Sequence, residues 1–242
     1  MKISKPQGDP YLTFSRYLNL DARQEDQSYL LAHFPTRLTQ AEKRLKALKW
    51  HKVEVTFPVD FPQFEDYLAS NGFTHCLNTW ALDSAGFPPQ PISDPNIGSP
   101  KLAYPQLEPI LAQQADYHHS LYPDYYRDWS HIDQRLYRLY VDRDVLSDHA
   151  FYLVHQSLPG QITGLILGGI SLKSLNIWEW VVDSNLRGQG IGSKLLHQYL
   201  YLCAPKNITT VSVQTGNLQP AAKIYQKFGF QPTFQTWYKN YL

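Results

Sequence analysis

Three glycines at alternate positions, Gly188, Gly190 and Gly192, follow an apolar stretch ending at Val182 and open a segment of helical periodicity. Glycine lets the backbone turn tightly and leaves N–H groups unshielded by a Cβ. A helix amino terminus adds a partial positive charge, so such a turn suits a pyrophosphate. Arg187, just before it, can present a forked donor to the same group, and Gln189, Ile191 and Ser193 complete the run. Farther on comes Tyr225-Gln226-Lys227-Phe228-Gly229-Phe230. A phenol of pKa about 10 stays protonated at neutral pH and can hand a proton to a departing anion.

A glycine turn of this kind also raises dinucleotide binding. That fold wants Gly-x-Gly-x-x-Gly early in a βαβ unit and an acidic residue at the end of the next strand. Here the spacing differs, and the next expected strand closes on Val211-Ser212-Val213-Gln214. Dinucleotide binding is set aside.

The elements that must position these residues follow from pattern. Upstream, Leu38–Lys49 has helical periodicity, Val53–Phe57 alternates as a strand, and Pro62–Ser70 is a helix stopped by Asn71-Gly72. Phe73–Leu82 is extended. Ser84–Pro100 carries five prolines in 17 residues and reads as an inter-domain connector. Leu107–Gln114 opens a helix. Asp116–Tyr140 is rich in aromatics, among them Tyr117, Tyr122, Tyr125, Tyr126, Trp129, Tyr137 and Tyr140; these are helix-packing rings or the wall of a pocket. Phe151–His155 and Gln161–Ser171 form a hairpin about Pro159-Gly160. Then come a strand to Asp183, the glycine turn, a helix to about Leu202, a strand Thr209–Gln214, a short helix Pro220–Phe228 and a strand Thr233–Tyr238. No internal repeat is obvious. The expected organisation is a small α/β domain over 1–83, a linker over 84–101 and a larger domain over 102–242.

Composition narrows the function classes. Of 242 residues 43% are hydrophobic and 18% charged, enough for a sizeable core. Lys plus Arg total 22 against 21 for Asp plus Glu, with no basic stripe, so nucleic acid is not the expected partner. Cys76 and Cys203 are far apart in sequence and make neither a thiol zinc site nor a disulfide framework; no metal is expected. No signal-like or membrane-spanning run occurs, so a cytoplasmic protein is expected, with homodimerisation open.

Arg187-Gly188-Gln189-Gly190-Ile191-Gly192 matches the R/Q-x-x-G-x-G/A signature of the GCN5-related N-acetyltransferase (GNAT) superfamily. The companion pattern of Asn, Ala and Tyr-x-x-x-Gly-Phe is found at Asn217, Ala221 and Tyr225–Phe230. The chain resembles that superfamily over roughly Leu102–Leu242. One residue more than the commoner spacing separates Asn217 from Ala221, and Pro220 is benign in a first helical turn. Lys52–Val55, Glu65–Phe73 and Trp80–Leu82 resemble the truncated first domain of two-domain acetyltransferases of the dTDP-fucosamine acetyltransferase type.

The resemblance implies an α+β (α/β) fold with a mixed, mostly antiparallel sheet flanked by helices. It implies an acetyltransferase with acetyl-CoA as cosubstrate and a small-molecule primary amine, such as a nucleotide-linked amino sugar, as acceptor. Backbone groups of Trp180, Val181 and Val182 would pair with the pantetheine arm, Arg187–Ser193 would hold the pyrophosphate, and Asn217 and Ala221 would border the arm. Tyr225 would protonate the thiolate that amine attack expels. A base must take a proton from the incoming ammonium. Glu179, between Trp178 and Trp180, is the first candidate, because an apolar setting raises a carboxylate pKa. Strand alternation leaves its direction open. Asp183 lies beside the same strand. His118 and His119 are alternatives that point to different helix faces.

Overall fold

The computed structural model describes residues 2–4, 17–48, 52–100, 104–121, 150–216 and 220–241. They form two compact units, one of Met1–Thr79, Thr215–Gln219 and Pro232–Leu242, the other of Trp80–Gln214 and Pro220–Gln231.

In the first unit, helix α1 (Gln27–Leu48) buries Leu30, Phe34, Leu38, Ala41 and Leu45, steps of three and four that mark one helical face. With α2 (Pro62–Ser70) it covers Leu18 and Leu20 of β2 (Tyr17–Asp21) and Val53, Val55 and Phe57 of β3 (Lys52–Pro58). The helix starts at Gln27 rather than near Leu38 because Pro35 is accommodated inside it. Pro35 is exposed, where water can serve the carbonyl that loses its donor. The sheet order is β1 (Lys2–Ser4), β2, β3, β10 (Gln231–Asn240), β4 (Thr74–Asp83). β1/β2 and β3/β10 are antiparallel and β2/β3 is parallel. The last strand of the chain, expected within the 102–242 domain, thus takes its register from β3. On the alternate positions of β3, Lys52 and Glu54 form an ion pair at 2.9 Å with side chains only 6% and 5% exposed.

The second unit orders its strands as the end of β4, then β9 (Thr210–Gly216), β8 (Ser174–Val182), β7 (Gln161–Ser171), β6 (Ala150–Leu158) and β5 (Ile97–Gly98). The ladders from β5 to β8 are antiparallel, including the expected hairpin, and β8/β9 is parallel. Helix α3 (Tyr104–Leu121) and helix α4 (Ile191–Cys203) both pack on β7 and β8. α4 buries Leu195, Leu196, Tyr199, Leu200 and Cys203 in a core with Phe151, Ile166, Ile177, Val213 and Phe230. Each sheet is flanked by helices, the mixed, mostly antiparallel α+β architecture expected.

The proline-rich stretch, read from sequence as a connector, lies along the second unit. Ser84 N–H donates to the Thr209 carbonyl (2.8 Å) and Gln156 N–H to that of Asn96 (2.9 Å). Ile92 N–H donates to Gln198 Oε1 (2.9 Å), His197 to the Gln90 carbonyl (2.9 Å), and Lys194 pairs with Asp94 (2.9 Å). Proline sets the extended backbone, and polar side chains of α4 satisfy the groups it leaves unpaired.

Among the described residues, no helix is long and apolar enough to cross a membrane, and no cluster of three His, Cys, Asp or Glu could hold a metal ion. Cys76 and Cys203 are buried free thiols.

Candidate active site

The site begins with a register fault in the second unit. β7 and β8 pair as Leu167↔Glu179, then Gly168↔Ile177, so Trp178 is an extra, bulged residue. The glycine pair makes room for it: a Cβ on Gly169 would come within 1.9 Å of the Trp178 ring, and one on Gly168 within 2.4 Å of the Asn176 carbonyl oxygen. Two glycines inside a strand are the sequence signal of such a bulge. Beyond it, the ladder on the other edge of β8 ends. The parallel ladder with β9 runs from Ser174↔Thr210 to Ile177↔Val213, and among the described residues Trp180–Val182 ladder to β7 alone.

The chain then enters the glycine turn. Asp183 N–H donates to the Thr163 carbonyl (3.0 Å), and the Asp183 carboxylate accepts from Asn185 N–H (2.9 Å). Gln113 of α3 accepts from Ser184 N–H (3.1 Å). Arg187 Nε donates to the Val182 carbonyl (3.2 Å), and its guanidinium lies 4.7 Å above the Tyr117 ring. Gly188 and Gly190 have φ of +81° and +80°, left-handed values that favour glycine. Beyond its own chain neighbours, no heavy atom of the described residues lies within 4 Å of where a Cβ would stand at either. Gly190 caps α4, and its carbonyl takes the Lys194 N–H (3.0 Å). The first-turn N–H groups of Ile191, Gly192 and Ser193 therefore have no acceptor within the helix. A Cβ on Gly192 would meet Trp180 at 3.3 Å and Val182 at 3.4 Å, so the helix start rests against the free end of β8.

Tyr225 comes from helix α5 (Ala221–Lys227). Gly229, at φ +87°, ends it in a Schellman turn: Phe230 N–H bonds the Tyr225 carbonyl and Gly229 N–H that of Gln226, each at 3.0 Å. Tyr-x-x-x-Gly-Phe is thus a physical unit, in which Phe230 caps the helix and packs on the tyrosine at 5.5 Å. The Tyr225 ring is 3% exposed and lies 5.2 Å from Trp180 and 6.3 Å from Trp80. Burial pushes its pKa well above the ordinary phenol value. The sequence places Trp80 in the first-domain resemblance and not in the site, because nothing local ties the end of β4 to α5.

The second unit brings Trp180, Val182, Arg187–Ser193, Ala221 and Tyr225 into one region. Val181 is buried at the alternate position of β8. Glu179 shares that alternation, with one carboxylate oxygen buried, and so projects to the face opposite Trp180 and Val182. Asn217 and the aromatics from Tyr122 to Tyr140 lie outside the described residues, as does the side chain of His119. His118 is partly buried on α3 and accepts from Gln114 Nε2 (3.1 Å). Desolvation pushes its pKa down to about 4. The folded value lies below the unfolded 6.5, so the stability this neutral ring carries is complete above pH 6.5 and is lost as pH falls toward 4. The melting-temperature advantage of the wild type over His118→Gln should shrink by a few degrees from pH 7 to pH 4.5; a constant difference would contradict the burial of a neutral imidazole.

Residues 147–232 match the family model described as "Acetyltransferase (GNAT) domain". A 100-residue stretch is 31% identical to N-acetyltransferase family 8 member 2 of Rattus norvegicus, covering 38% of this chain and 44% of that protein; the match spans less than half of the relative's length. The GCN5-related N-acetyltransferase from Sphaerobacter thermophilus superposes with a TM-score of 0.59 at 14% identity, over 94% of this chain and 74% of that one. A tandem GNAT protein from the clavulanic acid biosynthesis pathway gives 0.55 at 13% identity, over 93% and 75%. Residues 147–232 are thus similar to an acetyltransferase (GNAT) domain, and the fold is that of GCN5-related N-acetyltransferases.

Proposed function

We propose that this protein is an acetyl-CoA-dependent N-acyltransferase that moves an acetyl group to a primary amine of a small molecule, with Tyr225 as general acid. The reading rests on one observation above all. The β8–β9 ladder stops at Ile177↔Val213, and the strand end it releases runs beside a glycine turn at a helix amino terminus. A pantetheine arm presents amides that an unpaired strand edge can match, and a pyrophosphate suits the open cradle at Gly188 and Gly190. Acetyl-CoA supplies the activated acyl group as a thioester.

The chain's own residues bind, orient and protonate. The backbone of Trp180–Val182 aligns the arm. Arg187 and the N–H groups of Gly188–Ser193 hold the phosphates, and Ala221 at the start of α5 borders the arm. Tyr225 holds its proton on Oη for delivery to the sulfur as the amine displaces it. Glu179 is the proposed acceptor of the amine proton; projecting from the opposite face of β8, it takes that proton through an intervening water.

The test is release of free thiol from acetyl-CoA with a panel of amines: amino sugars (nucleotide-linked ones included), amino acids and polyamines. Amine-dependent thiol release with a matching acetylated product is expected. Acetyl-CoA binding with no thiol release for any amine would make the protein a coenzyme A-binding module instead.

A further inference from the structure

Two buried hydrogen-bond donors flank Tyr225. The indole N–H groups of Trp80 and Trp180 are both closed off from solvent, with no acceptor among the described residues. A buried unpaired donor costs desolvation that the fold does not recover, and such groups call for an explanation. These two stand together: their rings lie 6.3 and 5.2 Å from the Tyr225 ring, on either strand bordering the region, β4 and β8. The Trp180 edge that bears the nitrogen also faces the first turn of α4. Its Cε2, bonded to Nε1, would be 3.6 Å from a Cβ on Gly192. One donor is therefore set between the glycine turn and the tyrosine, and the other beside the tyrosine.

We infer that the Trp80 and Trp180 indoles are donors to carbonyl oxygens of the acylated pantetheine arm. This rests on the acetyl-CoA reading above. The surroundings select the ligand chemistry. Tyr225 lies against both rings, and Phe230, Leu82 and Val182 belong to the same hydrophobic cluster; such a setting disfavours a charged partner and suits a neutral carbonyl. An indole N–H donates only, so it cannot hold the amine or the thiol, whereas amide and thioester oxygens accept. Because both nitrogens are covered, the arm must part the indoles from their neighbours as it enters. The two bonds gained then offset part of that rearrangement. The apolar wall of the site would thereby also read the acyl arm.

The experiment is an indole-region ¹⁵N–¹H spectrum of the wild-type protein, with the six tryptophans assigned by triple resonance, titrated with acetyl-CoA and with coenzyme A. The Trp80 and Trp180 indole protons should move downfield with acetyl-CoA. Response to coenzyme A as well assigns the bond to a pantetheine amide; response to acetyl-CoA alone assigns it to the thioester. In kinetics, Trp180→Phe and Trp80→Phe should each lower kcat/KM about 2- to 13-fold, the value of one neutral hydrogen bond. If the backbone amides of Ile191–Ser193 shift while both indoles stay still, the inference is overturned and the acetyl-CoA reading stands. If calorimetry finds no acetyl-CoA binding at all, the acetyl-CoA reading fails and takes the inference with it.

Discussion

Replacing Tyr225 by phenylalanine is expected to lower kcat by roughly 10²- to 10⁴-fold, the usual worth of a positioned general acid, with acetyl-CoA affinity nearly unchanged. The substitution keeps the ring that packs among Trp180, Trp80 and Phe230 and the backbone carbonyl that accepts from Phe230 N–H. Only the hydroxyl is lost. Burial pushes the phenol pKa up, so the protonated form persists throughout the neutral range and activity should show no basic limb from this group below pH 10. The same dry surroundings penalise an anionic thiolate, which favours proton transfer from a neutral acid as the C–S bond breaks. Steady-state kinetics, with acetyl-CoA binding measured separately by calorimetry, checks this. Unchanged turnover would remove Tyr225 from the chemistry.

Much of the fold was legible because local signals and tertiary needs agree. The β6–β7 hairpin is written in two apolar runs about Pro159-Gly160, and Gly160 adopts φ +82°. The α4 face is a 3.6-residue stripe from Ile191 to Cys203. Where they disagree, sequence misleads. Local periodicity marks a helix only from Leu38, yet α1 begins at Gln27 and holds Pro35 on an exposed position. The proline-rich stretch has the composition of a linker, but its backbone groups find partners on α4 and β6 that no local pattern reveals. The pairing of β10 with β3 joins residues about 180 positions apart, such as Thr56 and Thr236, and register at that distance leaves no local trace.

A repeated device also escaped the sequence reading. In the first unit Phe73 N–H bonds the Leu68 carbonyl and Gly72 N–H that of Ala69, each at 3.0 Å. In the second, Phe230 and Gly229 do the same with Tyr225 and Gln226. Both units end a helix with Gly-Phe and pass into a strand, but the position held by Tyr225 is Leu68 in the first. A leucine can pack there but has no hydroxyl, so what the two units share is the helix stop. The site itself was legible where one segment builds it, as in Arg187–Ser193. It was not where separate segments meet: the Trp178 bulge needs β7 as well as β8, and Trp80 reaches Tyr225 only through the fold.

Gly190→Val is expected to weaken acetyl-CoA binding by roughly 100-fold, about 2.7 kcal/mol, while lowering stability only modestly. The backbone at Gly190 has φ +80°, and a side chain held there costs about 1–2 kcal/mol. That strain alone would act on folding, not on the ligand. Beyond its own chain neighbours, a Cβ at this position meets no heavy atom of the described residues within 4 Å, so the added side chain occupies the space in front of the α4 amino terminus. Gly160→Val is the matched control. Gly160 has φ +82° and equally open surroundings, but it sits in the β6–β7 turn, apart from the proposed site. The two variants should lose similar melting temperature, and only the first should lose acetyl-CoA affinity in calorimetry. Equal affinity in both would mean that the turn from Arg187 to Ser193 does not hold the pyrophosphate, because a side chain cannot stand in an occupied cradle at no cost to binding.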